Sequence, residues 1–326
     1  MKYKTSKIWE ILVAFFGLLL AIYLSYVTFK TTNFDALFDR VYTMSWGWVL
    51  LSMLFGYLAY IFRALRWQLL IEPLKVESKL STLIHAIAFG YLFNVAIPRS
   101  GELMRCTAAN KVNSIPVSTL FGHVLLERLI DFFLLGFCVF LALCFNYQDF
   151  LLFSSELGSP NVNIYAYILL ALILISLLFK FRSKILPIRF LDKIDSFIDG
   201  IKQGFLSIKN IKHKFLFSIY TILIWCCYLM MTLVCFYCFA ETQYLNIGQA
   251  IFILVAGGFG LVMPTPAGIG SYHFFVATAL VTISVDKDVA AAFALVVHTS
   301  QTMMIILSGV VATIFLTIQT NQLNNP

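Results

Sequence analysis

The sequence predicts an all-α, polytopic helical membrane protein with about six full spans and two re-entrant helical hairpins, which makes eight apolar segments in all. The first observation behind this prediction is composition, since 60% of the 326 residues are hydrophobic and only 12% are charged. Soluble domains carry about 25% charged residues, so this chain lacks the polar surface that water requires. The second observation is a set of long apolar runs. The third is a pair of apolar segments that glycine and proline interrupt.

Six runs are predicted to be transmembrane helices, because about 20 mostly apolar residues cross the ~30 Å of hydrocarbon in a bilayer. They are residues 8–29, 45–62, 117–145, 163–179, 215–239 and 288–318. The first run follows Lys2, Lys4 and Lys7, as a signal sequence would, but it exceeds the apolar length of about 7 to 15 residues found in signal sequences. We therefore expect a retained first span. No long region is polar enough to fold separately, so residues 1–326 are predicted to form a single transmembrane domain.

The distribution of Lys and Arg predicts the orientation of the chain. Residues 1–7, 30–44, 63–116, 146–162, 180–214 and 240–246 contain 3, 2, 7, 0, 9 and 0 basic residues. Since basic residues are retained on the cytoplasmic side, this alternation predicts a cytoplasmic N-terminus. The excess positive charge, +7 in total, is then expected to face anionic lipid head groups and not nucleic acid.

Two apolar segments are too interrupted to be simple spans. Residues 80–98 contain Asn94 and Pro98, and residues 247–283 contain a dense series of glycines and prolines. Non-helical backbone at membrane depth is tolerated only inside protein or beside a wet cavity, so each segment is predicted to be a re-entrant hairpin. For the second segment, two short full spans at 247–262 and 271–285 remain the alternative.

The two interrupted segments occupy corresponding places in two halves of the chain, residues 45–145 and 215–318. Each half reads span, hairpin, span, with every direction reversed in the second half. This pattern favours an inverted repeat, which in transporters encloses the central binding site. The connector at 180–214 is basic and amphipathic and is expected to lie in the cytoplasmic interface.

Charged side chains inside one predicted span are the main candidates for function. Glu127, Arg128 and Asp131 lie in the run 117–145, and His123, Glu127 and Asp131 are spaced to share one helix face. Because a charge in a span costs at least about 2.5 kcal/mol on insertion scales, these residues are predicted to line a substrate path. The alternative is that they pair with each other and with another helix to fix packing.

The first hairpin supplies candidate phosphate ligands near its turn. Arginine binds phosphate in a bidentate manner and stays charged at any relevant pH. The predicted lipid-binding residues of this region are Asn94, Arg99, Glu102 and Arg105, with Pro98 and Gly101 forming the turn. Arg63 and Arg66 are placed at the membrane interface where the second span ends. Ordinary anchoring to the cytoplasmic face is the alternative role for all four arginines.

The second hairpin is expected to form the opposite gate. Its turn is built from Pro264, Pro266, Gly268 and Gly270, and a new helix is expected from about residue 271. Free N–H groups at a helix start form an anion site. His273, in the first turn of that helix, is predicted to bind phosphate or to move a proton, with a hydrogen-bonded structural role as the alternative.

Catalysis is not favoured by the sequence. The seven cysteines lie within or near apolar runs, where thiols behave as small hydrophobic groups, so we predict no disulfide, metal site or cofactor. Motifs of serine hydrolases, zinc peptidases and nucleotide-binding P-loops are missing from the sequence. We therefore expect a protein that is not an enzyme.

Four stretches carry distinctive residue combinations: RALRWQLL at 63–70, FNVAIPRSGELMR at 93–105, LLERLIDF at 125–132 and PTPAGIGSYH at 264–273. Together they resemble the motifs of the lysylphosphatidylglycerol synthase transmembrane-region family, which are flippase-like integral membrane proteins. The resemblance extends from the second span to residue 318. Ala267 stands where the family usually has glycine, and His273 where it often has glutamate. The soluble aminoacyl-transferase domain of the full-length synthases is not part of the resemblance, so lysyl transfer is not implied.

The resemblance and the buried charges lead to one expected function and two alternatives. The expected function is a bacterial inner-membrane transporter or flippase that moves or binds an anionic phospholipid or a polyprenyl-phosphate lipid. The first alternative is a non-catalytic scaffold or accessory subunit for a lipid-modifying or glycosyl-transferring enzyme, which would dock on residues 180–214. The second is a membrane enzyme that acts on lipid head groups. Each of these readings allows a homo-oligomer.

Overall fold

The computed structural model describes residues 2–97, 99–157 and 188–324. Over these ranges the chain forms helices, short 3-10 turns and loops, with no β-strand. The predicted all-α class is therefore confirmed for the described residues. The predicted span at 163–179, the start of the connector at 180–187 and the turn residue Pro98 lie outside the described residues.

The α-helices of the described ranges are numbered here in chain order. They are α1 (Lys2–Phe29), α2 (Phe34–Thr43), α3 (Trp46–Ile71), α4 (Leu80–Ala96), α5 (Gly101–Asn113), α6 (Val117–Phe145), α7 (Tyr147–Glu156), α8 (Ile188–Leu206), α9 (Lys214–Cys235), α10 (Ile247–Val262), α11 (Ser271–Thr282) and α12 (Lys287–Asn324).

Four candidate membrane spans occur among the described helices. They are Trp46–Leu74, Val117–Phe145, Lys214–Cys238 and Lys287–Gln322, and each corresponds to a predicted span. The helices α1 and α2 meet at a bend of 88° and together form at most a fifth candidate. Asn33 explains part of this break, because its side chain caps α2 by accepting hydrogen bonds from the N–H groups of Asp35 and Ala36.

Hairpin 1, residues 80–113, consists of α4 and α5 packed side by side. The two arms approach closely at Gly90 and Gly101, where a Cβ atom on Gly101 would collide with the carbonyl oxygen of Gly90. With 17 residues, α4 is about 25 Å long, which is shorter than the ~30 Å hydrocarbon core. These dimensions suit a hairpin that turns back within the membrane.

Hairpin 2, residues 247–282, consists of α10 and α11 and has the same form. A capping box of Asn246 and Gln249 starts α10, and a turn with a short 3-10 segment at Pro266–Gly268 separates the arms. Its arms contain 16 and 12 residues, or about 24 and 18 Å of helix. Two arms this short favour a re-entrant hairpin over two full spans.

The packing of helices places the two hairpins in related environments. The spans α3 and α9 contact each other, α4 of hairpin 1 contacts α12, and α10 of hairpin 2 contacts α6. The first helix α1 packs against hairpin 2, where a Cβ atom on Gly270 would collide with the carbonyl oxygen of Ala21. Each hairpin is therefore enclosed by spans from the other part of the chain.

The described part of the basic connector packs against one of the candidate spans. Its helix α8 packs against α6 at a contact of small residues, since a Cβ atom on Gly122 would lie 2.9 Å from the Cα atom of Gly204. This contact fixes α8 beside the helix that carries the buried charges.

Candidate functional site

The charged residues of α3, α5 and α6 form one group, which we call the charged cluster. Its members are Arg63, Arg66, Glu102, Arg105, Glu127, Arg128 and Asp131. The sequence spacing of each helix explains its formation: residues three or four apart lie on one face. The face of α3 that carries arginines thus meets the face of α6 that carries carboxylates.

Asp131 is bound by two arginines from the neighbouring span. Arg63 Nη2 lies 3.0 Å from Asp131 Oδ2, and Arg66 Nη1 lies 3.2 Å from Asp131 Oδ1. Arg63 also donates from Nη2 to the hydroxyl of Tyr228 on α9, at 2.8 Å. Three helices are therefore joined through the Arg63 and Asp131 side chains.

Glu127 is completely buried and is paired with hairpin 1. Its Oε2 accepts a hydrogen bond from Arg105 Nη2 at 2.5 Å, and its Oε1 lies 3.6 Å from Arg66 Nε. The guanidinium of Arg105 also stacks over the Trp67 ring, 4.3 Å from its centroid. Hairpin 1 thus brings a second arginine to the buried carboxylate, and the cation–π contact stabilises the guanidinium of that arginine.

The interface position of Arg63 and Arg66 stays a prediction, but both side chains are buried inside the protein. The sequence placed the end of this span at residue 62, but α3 continues to Ile71 and both arginines are buried within it, at 2% and 0% exposure. Their burial is possible because α6 supplies counter-charges, Glu127 and Asp131, at ion-pair distance.

Arg128 is the member of the charged cluster that reaches the surface. Its side chain is 41% exposed, whereas that of Glu127 is fully buried. It contacts Glu102 of hairpin 1 at 3.6 Å and Asp131 at 3.8 Å. The neighbouring exposed side chains on α6, Leu129 and Phe132 among them, are apolar. A guanidinium is thus presented on a face that otherwise suits lipid tails.

The charged cluster carries more positive than negative charge. Its four arginines face three carboxylates, Glu102, Glu127 and Asp131. Seven buried donor atoms in and around the cluster have no hydrogen-bond acceptor among the described residues: Tyr60 OH, Arg63 Nη1, Arg66 Nε, Arg66 Nη2, Trp67 Nε1, Arg105 Nε and Arg128 Nε. They outnumber the two carboxylate oxygens in the same state, Glu102 Oε2 and Glu127 Oε1. A buried group with spare donors and a spare positive charge is chemically suited to an anion.

The turn of hairpin 1 is tied to hairpin 2 by a single arginine. Asn94 Oδ1 accepts a hydrogen bond from the N–H of Gly101 at 2.7 Å, which closes the turn. Arg99 adopts a positive φ of 65° and donates from Nη2 to the carbonyl oxygen of Val262, the last residue of α10, at 2.7 Å. A cation at a helix C-terminus is electrostatically favourable, so this contact joins the two hairpin tips.

The turn of hairpin 2 is held by two histidines. Nδ1 of His273 accepts a hydrogen bond from the N–H of Gly270 at 3.2 Å, and Nε2 of His298 lies 2.9 Å from the carbonyl oxygen of Ala267. Ala267 has a φ of 52°, a conformation that glycine adopts at lower cost.

The structure brings most of the predicted site residues together, but not all. Seven of them form the charged cluster, and Asn94, Gly101 and Arg99 build the turn that leads to it. His273, with the predicted gating residues Pro264, Pro266, Gly268 and Gly270, belongs to hairpin 2. No hydrogen bond or ion pair joins His273 to the charged cluster within the described residues.

Aromatic residues surround the charged cluster and were not among the predicted site residues. Tyr228 binds Arg63, Trp67 stacks under Arg105, and Tyr60 stacks on Tyr91 with centroids 4.8 Å apart. Trp67 directly follows Arg66 in the sequence, so its neighbour could have identified it as a site residue. No neighbouring residue could identify Tyr228, because its partner Arg63 lies 165 residues away in the sequence.

A comparison with protein-family models decides the family of the chain. The model described as the lysylphosphatidylglycerol synthase transmembrane region matches residues 12–309, which is most of the chain. The chain belongs to the lysylphosphatidylglycerol synthase transmembrane-region family. Neither the curated proteins nor the solved structures gave a match.

Membership of the lysylphosphatidylglycerol synthase transmembrane-region family confirms the resemblance predicted from four short stretches. Three of these stretches, at 63–70, 93–105 and 125–132, supply every member of the charged cluster. The fourth, at 264–273, forms the turn of hairpin 2. Three stretches that are distant in sequence therefore meet in the charged cluster, and the fourth forms the tip of hairpin 2.

Proposed function

We propose that this protein binds the phosphate-bearing head group of an anionic phospholipid or a polyprenyl-phosphate lipid and moves it across the bacterial inner membrane. Family membership supports a flippase-like membrane protein. The observation that carries the proposal is the charged cluster, which is buried, has one cation in excess and reaches lipid through Arg128. We assign the N-terminus to the cytoplasm from the distribution of basic residues.

The charged cluster is costly to bury. Burying arginines and carboxylates is weak evidence for stability, because desolvation offsets most of the attraction between the charges. Intramembrane ionisable groups of this kind are typical of substrate paths. An arriving phosphate would accept from the spare donors of Arg63, Arg66 and Arg105 and would balance the excess positive charge.

Lateral access supports a lipid substrate over a soluble one. A lipid keeps its tails in hydrocarbon while its head group reaches a polar site, so the site must open sideways. Arg128 is partly exposed beside exposed apolar residues of both α6 and hairpin 1, including Leu129 and Leu103. The head group would meet Arg128 first, and the tails would remain against this apolar face.

The packing of the two hairpins supports movement between two leaflets. In an inverted repeat, α4 of the half 45–145 corresponds to α10 of the half 215–318, and α6 corresponds to α12. The contact of α4 with α12 then corresponds to the contact of α10 with α6. We infer an inverted repeat from this correspondence, with hairpin 1 opening to the cytoplasm and hairpin 2 to the outside. The contact of Arg99 with Val262 would then separate the two openings.

Replacing Arg128 with glutamine is expected to slow lipid movement about tenfold, which corresponds to a loss of about 1.4 kcal/mol. This is at the lower end of the value of a hydrogen bond to a charged group. The measurement uses the purified protein in liposomes that contain fluorescent phosphatidylglycerol, with a quencher added outside. A fluorescent polyprenyl phosphate forms the second arm, and fluorescent phosphatidylcholine tests whether the negative charge of the lipid is needed.

Arg40→Gln is the matched control. Arg40 is 29% exposed and has two carboxylate neighbours, Glu241 at 3.2 Å and Asp286 at 3.8 Å, as Arg128 has, but it lies outside the charged cluster. Equal rates in both variants and the wild type would reject the site. If the wild type moves no labelled lipid and instead co-purifies with a transferase, the scaffold function replaces this proposal.

A further inference from the structure

The turn of hairpin 2 contains two buried histidines, and the contact of His273 defines the protonation state of its ring. Nδ1 of His273 accepts the N–H of Gly270, so the ring proton of His273 resides on Nε2. Nε2 of His273 has no hydrogen-bond partner among the described residues. The ring centroids of His273 and His298 are 4.7 Å apart, with an interplanar angle of 74°. The closed turn therefore contains a neutral His273.

A second proton on His273 is incompatible with the closed turn. The proton would bind to the lone pair of Nδ1, and no other covalent bond would form or break. Nδ1–H would then face the N–H of Gly270, and the hydrogen bond that closes the turn would be lost because both groups are donors. The cation would also be buried, since His273 is only 5% exposed.

The surroundings of His273 offer no compensation for a positive charge. From α1 it meets the ring of Phe29, from α12 the ring of His298, and on its own helix Tyr272. Tyr272 and His298 are thus the titratable groups that face the ring among the described residues, and neither carries a negative charge at neutral pH. A proton therefore favours a state in which the imidazole leaves this pocket for water.

The closed turn has a backbone strain that its hydrogen bonds must offset, because the non-glycine Ala267 is left-handed. Ala267, Gly268 and Gly270 all have positive φ angles, between 52° and 79°. Two short-range backbone bonds, from Gly268 N to Thr265 O and from Ile269 N to Pro266 O, stabilise it locally. The hydroxyl of Ser271 adds hydrogen-bond contacts with Thr265 Oγ1 and with the carbonyl oxygens of Gly260 and Gly268. The bond from Gly270 to His273 is the one of these that a proton on His273 removes.

We propose that His273 is the site of a coupling proton, and that its protonation opens hairpin 2 during lipid movement. The coupling rests on the proposed translocation function, but the opening of the turn does not. Because the closed state needs neutral His273, acid favours the open state and alkali the closed one. Histidine in contact with water titrates between about pH 5 and 8, which sets the range of the switch.

The test measures the accessibility of the turn without any lipid substrate. Thr265 is buried in the turn, at 3% exposure, so Thr265→Cys reports its opening to a water-soluble maleimide. The exposed Cys144 and Cys226 are replaced by serine, and each labelling rate is divided by the rate in denaturing detergent at the same pH. We expect the corrected rate to rise about tenfold between pH 8 and pH 5.5.

Two variants assign the effect to His273. In His273→Asn the amide oxygen can take the place of Nδ1 as acceptor for Gly270 but cannot be protonated, so the rate should no longer depend on pH. His298→Gln should keep the response, and so should His213→Asn, a control at an exposed histidine. A wild-type rate that is independent of pH, or a response that survives in His273→Asn, would overturn the proposal. If His273→Asn does not fold, a response lost in His298→Gln would also overturn it.

The same preparations separate this inference from the proposed function. Lipid movement that is independent of pH, together with a flat labelling rate, removes the coupling and leaves translocation in place. A labelling response without any lipid movement removes translocation and leaves the proton-sensitive turn.

Discussion

Glu127→Gln is expected to lower the free energy of unfolding by about 3 to 5 kcal/mol, the usual cost of removing one partner of a buried ion pair. The change leaves Arg105 and Arg66 buried without the carboxylate that lies 2.5 and 3.6 Å from them. Unfolding of the purified protein in mixed detergent micelles, followed by its helical signal, measures the loss.

A control and a compensating change make this prediction specific. Glu241→Gln removes an exposed carboxylate paired with Arg40 at 3.2 Å and should cost less than about 1 kcal/mol. Glu127→Gln combined with Arg105→Gln should recover part of the loss, because it removes the uncompensated cation as well. Equal destabilisation by the two single changes would show that Glu127 is not paired as described.

Gly101→Ala should destabilise the protein by about 1 to 3 kcal/mol, as overpacking does, and should also abolish lipid movement. An added Cβ atom would collide with Gly90 and lie 2.6 Å from Cγ of Asn94, so the arms of hairpin 1 would have to separate. Arg105, which lies one turn further along α5, would then move away from Glu127. Thermal unfolding and the liposome assay measure the two effects.

Gly136→Ala is the matched control, because nothing lies within 4 Å of a Cβ atom at that position of α6. Alanine in place of a helical glycine stabilises by about 0.5 to 1 kcal/mol. An equal response of Gly101 and Gly136 to alanine would contradict the close packing of hairpin 1.

The class of fold and the charged helix were accessible from the sequence because both depend on local patterns. Apolar length marks a span, and the spacing of Glu127 and Asp131 places both on one face of α6. The burial of Arg63 within α3 was not predicted, because counting apolar residues ends a span at its first charge. The counter-charge of Arg63 lies 68 residues away, on a helix whose packing partner no local pattern reveals.

The role of His298 was missed for a similar reason. Its Nε2 lies 2.9 Å from the carbonyl oxygen of Ala267, 31 residues away. Its contact with His273 depends on how α12 packs against α11, which is a property of the folded chain. Sequence spacing therefore identified the turn but not the pair of imidazoles within it.

The most direct test of the lipid site is photocrosslinking from a position beside Arg128. A photoreactive amino acid replaces Leu103, an exposed apolar residue of hairpin 1, and a second protein carries it at Val311 on α12 as a control. We predict that residue 103 labels phosphatidylglycerol in preference to phosphatidylcholine, that Arg128→Gln removes this preference, and that residue 311 shows none. Equal labelling of the two lipids at residue 103 would contradict an anionic head group at the charged cluster.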